Sequence, residues 1–219
     1  MHLFFKHYLV ILPFTVILFT GCATTTPPPY DYSAFETSQP RSIVIIPPKN
    51  NSLDVNAPYI YLSTLSRPLA EKGYYVFPVS VIDYFLKENG LPTPAEMNGI
   101  PLDKIGEHIG ADAVLYVSIE NWGQKYQVLS SVAIVHAKLS LVDVKTGALL
   151  WEATAHAQQS SGDGGGGLVG ALVGAVVTQV ANSVVDHTPN LARQANAVAI
   201  NNPFRGMLNG PYYQLPKTE

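Results

Sequence analysis

The apolar positions along the chain change rhythm several times. An apolar run spans Tyr8–Phe19. The next, in "RSIVIIPP" (Arg41–Pro48), is short, rich in β-branched residues and stopped by prolines, which predicts a buried strand. Helical spacing follows in "VNAPYIYLSTLSRPLAEKG", with Asn56 as N-cap, Pro58 in the first turn and Gly73 as the stop. Pro68 cannot continue a helical ladder and predicts a break near Ser66. "YYVFPVS" (Tyr74–Ser80) reads as a second strand and "VIDYFLKENG" as a short helix closed by Asn89-Gly90. "TPAEMNGIPLDKIGEHIG" reads as two helical pieces, split at residues 99–101 and ending at Gly110.

Beyond Gly110 the pattern alternates. Ala113, Leu115, Val117 and Ile119 fall on one face of a strand, and Ala133, Val135, Ala137, Leu139 and Leu141 on one face of the next. The turn Asp143–Gly147 leads into "ALLWEATAHAQQ", with Leu149, Trp151, Ala153 and Ala155 expected inward. Two alternating runs around a Gly-containing turn are a hairpin. Helix-and-strand units first and an antiparallel meander later predict an α+β fold, a mixed α/β sandwich. It would be a single small domain with a central mixed sheet, an antiparallel hairpin in its second half and flanking helices.

Residues 162–186, "GDGGGGLVGALVGAVVTQVANSVVD", then combine a glycine-rich loop with an apolar helix. Two overlapping G-x-G-x-x-G matches arise here, as any glycine-dense segment produces, and no lysine follows to make a phosphate loop. Gly166, Gly170 and Gly174 are spaced by four, as at close helix contacts in bilayers. Thr178, Gln179, Asn182, Ser183 and Asp186 form a polar stripe, and the wholly apolar part, residues 168–177, spans about 15 Å, half a bilayer core. A protein-packed helix over 168–185 is expected, with Gly170 and Gly174 meeting another helix or a second copy of the chain. Partial insertion is the weaker alternative.

The N-terminus sets the compartment. The run Tyr8–Phe19 is too short for a comfortable span and has the length of a secretory h-region. "LFTGC" then places Gly21 before Cys22, the only cysteine in the chain. This resembles the lipobox of bacterial lipoproteins, departing from it at Phe19, where that motif favours Leu. The resemblance implies cleavage between Gly21 and Cys22, acylation of Cys22 and anchoring to a lipid bilayer. Ala23, in place of Asp, implies export to the outer membrane, facing the periplasm. Residues 1–21 are thus the signal peptide and 22–40 an acylated cysteine with a Pro-rich tether. Residues 41–219 are one domain. Tyr30, Tyr32 and Phe35 interrupt the tether and either dock onto the domain or lie at the lipid interface.

Without residues 1–21 the chain loses only Lys6 among its charges, so the formal net charge moves from −3 to −4. That gives no basic footprint for nucleic acid. Charged residues make up 13%, about half the usual share. Either a partner covers much of the surface, or the apolar leader and glycine-rich segment distort the average.

"GADAVLYVSI", a long strand, then "LVDVKTGALLW" is similar to the small domain of the TolB N-terminal region, CsgG and LpoB, in which an Asp-x-x-Thr-Gly turn leads to a strand carrying Trp. Asp143, Thr146, Gly147 and Trp151 match. The wider order of lipobox, Pro-rich tether, "IVIIPPKN", "GYYVFPV", "GADAVLYVSIENW" and glycine-rich helix resembles the bacterial lipoprotein family typified by the genome-derived Neisseria antigen lipoprotein. That resemblance implies an envelope component accompanying CsgG-like lipoproteins in transport or assembly, and it brings no catalytic residue to carry over.

His136 and His156 fall on outward faces of neighbouring strands, where a carboxylate such as Glu152 could complete a metal site; two solvated histidines are the plainer reading. No spaced ligand motif, cofactor motif or nucleophile elbow accompanies them. The expectation is a non-enzymatic outer-membrane lipoprotein, an interaction or assembly subunit without a cofactor. Its partners would be other envelope lipoproteins, CsgG-like ones among them, or a second copy of itself. The alternative is a periplasmic small-molecule-binding or hydrolytic protein. A deep cleft with paired titratable groups would favour the alternative, and an exposed apolar surface the first reading.

Overall fold

The computed structural model describes residues 29–127, 130–160 and 186–215. Gly21, Cys22, Gly170, Gly174 and the helix expected over 168–185 lie outside the described residues.

A six-stranded mixed sheet organises the domain, with path β3-β1-β4-β5-β6 and β2 beside β4. The strands are β1 (Ser42–Ile45), β2 (Lys49–Asn50), β3 (Tyr75–Val76), β4 (Ala113–Gln127), β5 (Ser130–Asp143) and β6 (Leu149–Ser160). The helices are α1 (Ser33–Ser38), α2 (Ala57–Leu62), α3 (Ser66–Glu71), α4 (Val79–Glu88), α5 (Pro94–Met97), α6 (Leu102–His108) and α7 (Thr188–Ile200). β1 runs parallel to β3 and β4, whereas β4, β5 and β6 form an antiparallel meander. The α+β fold expected from the pattern is the one observed.

Burial explains the two kinds of strand. After Ser42, β1 is apolar because both its faces are covered. Ile43 and Ile45 enter one core with Tyr61, Leu65 and Leu69, while Val44 and Ile46 enter another with Ile82, Leu86, Met97 and Ile105. The meander is covered mainly on one face, where Leu115, Val117, Leu139, Leu141 and Ala155 meet Leu191, Ala195 and Ile200 of α7. Hence it alternates.

One buried polar chain fixes α7 against α2. Tyr61 Oη donates to Asn196 Oδ1. Asn196 Nδ2 donates to Thr64 Oγ1 at 2.8 Å, and Thr64 Oγ1 donates to the Tyr61 carbonyl at 2.6 Å. A buried amide must be satisfied in this way, so the chain sets the register of the two helices.

Four details correct the sequence reading. The strand expected over 74–80 is two residues long, because Pro78 has no N–H for the ladder and α4 starts at Val79, burying Ile82 and Leu86. Asn56 stands at the N-cap position of α2 without a side-chain bond to the helix; Asp54 Oδ1 instead accepts the Asn56 N–H at 2.8 Å. The register of β5 with β6 slips at Leu150, pairing Leu141 with Trp151 but Val142 with Leu149. This bulge turns Leu149 outward, 48% exposed, and buries Leu150. Finally, the tether does not extend to residue 40. α1 buries Phe35 in the main core, and Tyr30 and Tyr32 pack beside it. The break near Ser66 is present: α2 ends at Leu62 and α3 begins at Ser66, which places Pro68 in a first turn, where its missing N–H is harmless.

Candidate functional site

The Asp143–Gly147 turn is closed by its own side chains. Asp143 Oδ1 accepts from the Thr146 N–H at 2.6 Å and from Thr146 Oγ1 at 2.7 Å. Gly147 takes φ +73°, which favours glycine. Asp143 Oδ2 accepts from Ser38 Oγ, so the turn also holds the end of α1. Burial pushes the Asp143 carboxyl up, yet the hydrogen bonds from Ser38, Thr146 and the Lys145 backbone together hold it below the ordinary carboxylate value.

A cavity of about 800 Å³ opens beside this turn, lined among others by Arg41, Asp103, Asp112, Asp143 and Lys145. Asp112 Oδ2 accepts from the N–H groups of Arg41 and Ser42 and from Ser42 Oγ, each at 3.0 Å. The two innermost carboxylates, Asp112 and Asp143, are therefore committed to holding backbone in place.

His136 and His156 are brought together on the outer face of the meander. They are directly paired across β5 and β6, with ring centroids 5.6 Å apart and nearly perpendicular. The Glu152 N–H points away from β5, to Tyr30 Oη. His156, four residues on, shares that orientation, so the histidines occupy a non-hydrogen-bonded pair, the kind with the closest side chains. Glu152 pairs with Ser140 instead, about 13 Å back along the strand. Among the described residues no group of three or more His, Cys, Asp or Glu side chains converges as a metal ion would require.

Trp151 is wholly buried, and its Nε1–H donates to the Arg205 carbonyl at 2.8 Å. This bond belongs to a larger junction absent from the sequence reading. Tyr30 Oη accepts the Glu152 N–H at 3.0 Å, Tyr32 Oη donates to the Gly206 carbonyl at 2.6 Å, and the Arg205 guanidinium lies 5.2 Å from the Tyr30 ring centroid. The N-terminal lead-in is thereby clamped between edge strand β6 and the turn after α7. The sequence signal was the trio Tyr30, Tyr32 and Phe35 within a segment otherwise suited to a linker.

On the opposite edge of the sheet, β3 and α4 present apolar side chains to solvent. Tyr75 is 52%, Val81 59% and Tyr84 66% exposed. Val81 and Tyr84 share one helix face at i, i+3, and the Tyr75 ring meets Phe77 edge-on at 5.1 Å. Lys87, next along α4, lies 4.7 Å over the ring of Tyr59, extending the surface to α2. No helix among the described residues is long and apolar enough to cross a membrane.

The structure is a single α+β domain whose N-terminal lead-in is clamped against its edge strand. The chain belongs to the GNA1162-like lipoprotein family, whose model, "Putative lipoprotein GNA1162-like", matches residues 30–212. It is a lipoprotein of the cell envelope. It is similar to "Putative lipoprotein NMB1124/NMB1162" of Neisseria meningitidis, with 39% identity over 200 residues, covering 90% of this chain and 93% of the relative. The crystal structure of lipoprotein GNA1162 from Neisseria meningitidis aligns with a TM-score of 0.54 and 40% identity, over 59% of this chain and 90% of that one. The LpoB C-terminal domain from Salmonella enterica is a remote likeness, with 22% identity, a TM-score of 0.36, and 54% and 83% coverage. At that distance it says nothing about role.

Proposed function

We propose that the protein is a non-enzymatic assembly subunit of an envelope transport or secretion system. It is anchored through acylated Cys22 to the outer membrane and faces the periplasm. Its partners are other envelope lipoproteins, CsgG-like ones among them, or further copies of itself. The observation carrying this reading is the exposure of the apolar side chains Tyr75, Val81 and Tyr84 on the edge away from the tether root. Tyrosines suit an interface, since each offers a large apolar body with a polar tip and little entropy to lose. The commitment of Asp112 and Asp143 to backbone supports it as well, because the charged cavity beside them is then a structural junction.

Affinity capture of the natively anchored protein tests the reading. Companions should copurify with the wild type and be lost from Tyr75→Ser/Tyr84→Ser at unchanged abundance and membrane association. Companions retained by that double variant would move the interface elsewhere. Turnover of a periplasmic metabolite by the purified domain would overturn the non-enzymatic role.

A further inference from the structure

We infer that the turn 202–205 is a membrane-contacting surface, in which Phe204 enters the headgroup layer of the bilayer that holds the anchor and Arg205 meets lipid phosphate. The inference rests on the Cys22 anchor proposed above and adds an orientation to it.

The turn presents an aromatic ring to solvent from a rigid base. Phe204 is 80% exposed. Its N–H and that of Arg205 both donate to Asn202 Oδ1, at 2.9 and 3.0 Å. The Gly206 N–H donates to the Asn202 carbonyl at 2.8 Å, and a Cβ at Gly206 would stand 2.4 Å from that oxygen. Trp151 and Tyr32 hold the carbonyls of Arg205 and Gly206. The backbone is thus fixed from the sheet side while Phe204 points out.

The tether makes this face the one beside the bilayer. Arg205 stacks on Tyr30, and only eight residues lead from Cys22 to Tyr30. Fully extended they reach about 29 Å. A domain of this size is about 40 Å across, and bringing its far side to the surface would take about 60 Å of chain around the flank. Tethering also raises the local concentration at the bilayer enough for a weak contact to count. An aromatic ring with a neighbouring cation is the side-chain pair that settles at a headgroup boundary. The nearby Asp31 carboxylate turns back onto the Ser33 N–H at 2.9 Å. Glu152 and Lys138 line the adjoining cavity with Arg205 and carry opposite charges, so Phe204 carries the contact and Arg205 orients it.

Acylation consumes the Cys22 thiol, so Pro203→Cys, which keeps Phe204, and Tyr84→Cys each give the lipidated chain one free thiol for a spin label. In vesicles of phosphatidylethanolamine and phosphatidylglycerol, the label at 203 should collide with oxygen several-fold more than with a water-soluble nickel chelate. The label at 84 should show the reverse. A water-like label at 203 on a chain that still floats with the vesicles overturns the orientation alone. A label shielded from both reagents places a protein neighbour there and also overturns it. A chain that fails to float, with Cys22 itself open to labelling, removes anchor and orientation together.

Discussion

Tyr30 and Glu152, 122 residues apart, are joined by one hydrogen bond in which the Glu152 N–H donates to Tyr30 Oη over 3.0 Å. Glu152 lies on the edge of the sheet, where backbone donors stand open. The tyrosine closes one of them and fixes where the lead-in joins the domain.

A chain beginning at residue 41 should therefore be less stable than one beginning at residue 29. Phe35 is buried, and exposing its partners together with losing the Tyr30 and Tyr32 bonds should cost about 2–4 kcal/mol. Denaturant titration of the two chains measures it. Equal midpoints would make the segment a plain linker.

Trp151 tests the junction from the sheet side. Trp151→Ala should cost about 3–5 kcal/mol. Trp151→Phe should cost less, since it keeps most of the ring volume and loses the Nε1–H bond to Arg205, worth about 1 kcal/mol. Wild-type stability of the alanine variant with loss of partner binding would make Trp151 an interface residue.

Asp143 gives the junction a pH dependence. Its carboxyl titrates below the ordinary value, so its stabilisation is present above about pH 4 and lost as pH falls through the lower, folded value. Acid should release Ser38 and the end of α1. Asp143→Asn should flatten the acid limb of the stability profile and lower stability at neutral pH by about 1–3 kcal/mol. An acid limb unchanged in that variant would assign the dependence to another carboxylate.

Asn196 tests the buried polar chain. Asn196→Ala strands the Tyr61 hydroxyl inside the core and should cost about 1–3 kcal/mol. Adding Tyr61→Phe should recover part of the loss, because the stranded group is then gone. A strictly additive double variant would show that the two groups act separately.

Much of the fold was legible because burial writes itself into spacing. The unbroken apolar run Ile43–Ile46 marks a strand covered on both faces, and the alternation of β4 and β5 marks a sheet covered mainly on one. The turn chemistry at Asp143, Thr146 and Gly147 is local and could be read in five residues. What could not be read was long-range. The slip at Leu150 depends on the partner strand, and the Tyr61–Asn196 bond joins residues 135 apart. The docking of residues 30–38 stood as one of two readings of their aromatics, because prolines dominate the approach and the groups that hold Tyr30 and Tyr32 lie more than a hundred residues away. The two histidines could be placed side by side from alternation, but the distance of Glu152 needed the register.

On the proposed function, the protein binds envelope partners through the β3–α4 edge while anchored at the other. Site-specific photo-crosslinking in living cells measures this most directly, with the reactive side chain placed at Tyr75, at Tyr84 and, for comparison, at Glu107 on exposed α6. Discrete higher-mass adducts are expected from positions 75 and 84, abolished by Val81→Glu, and none from 107. Adducts equally abundant from all three positions, or none from 75 and 84 in a membrane-anchored, folded protein, would contradict it.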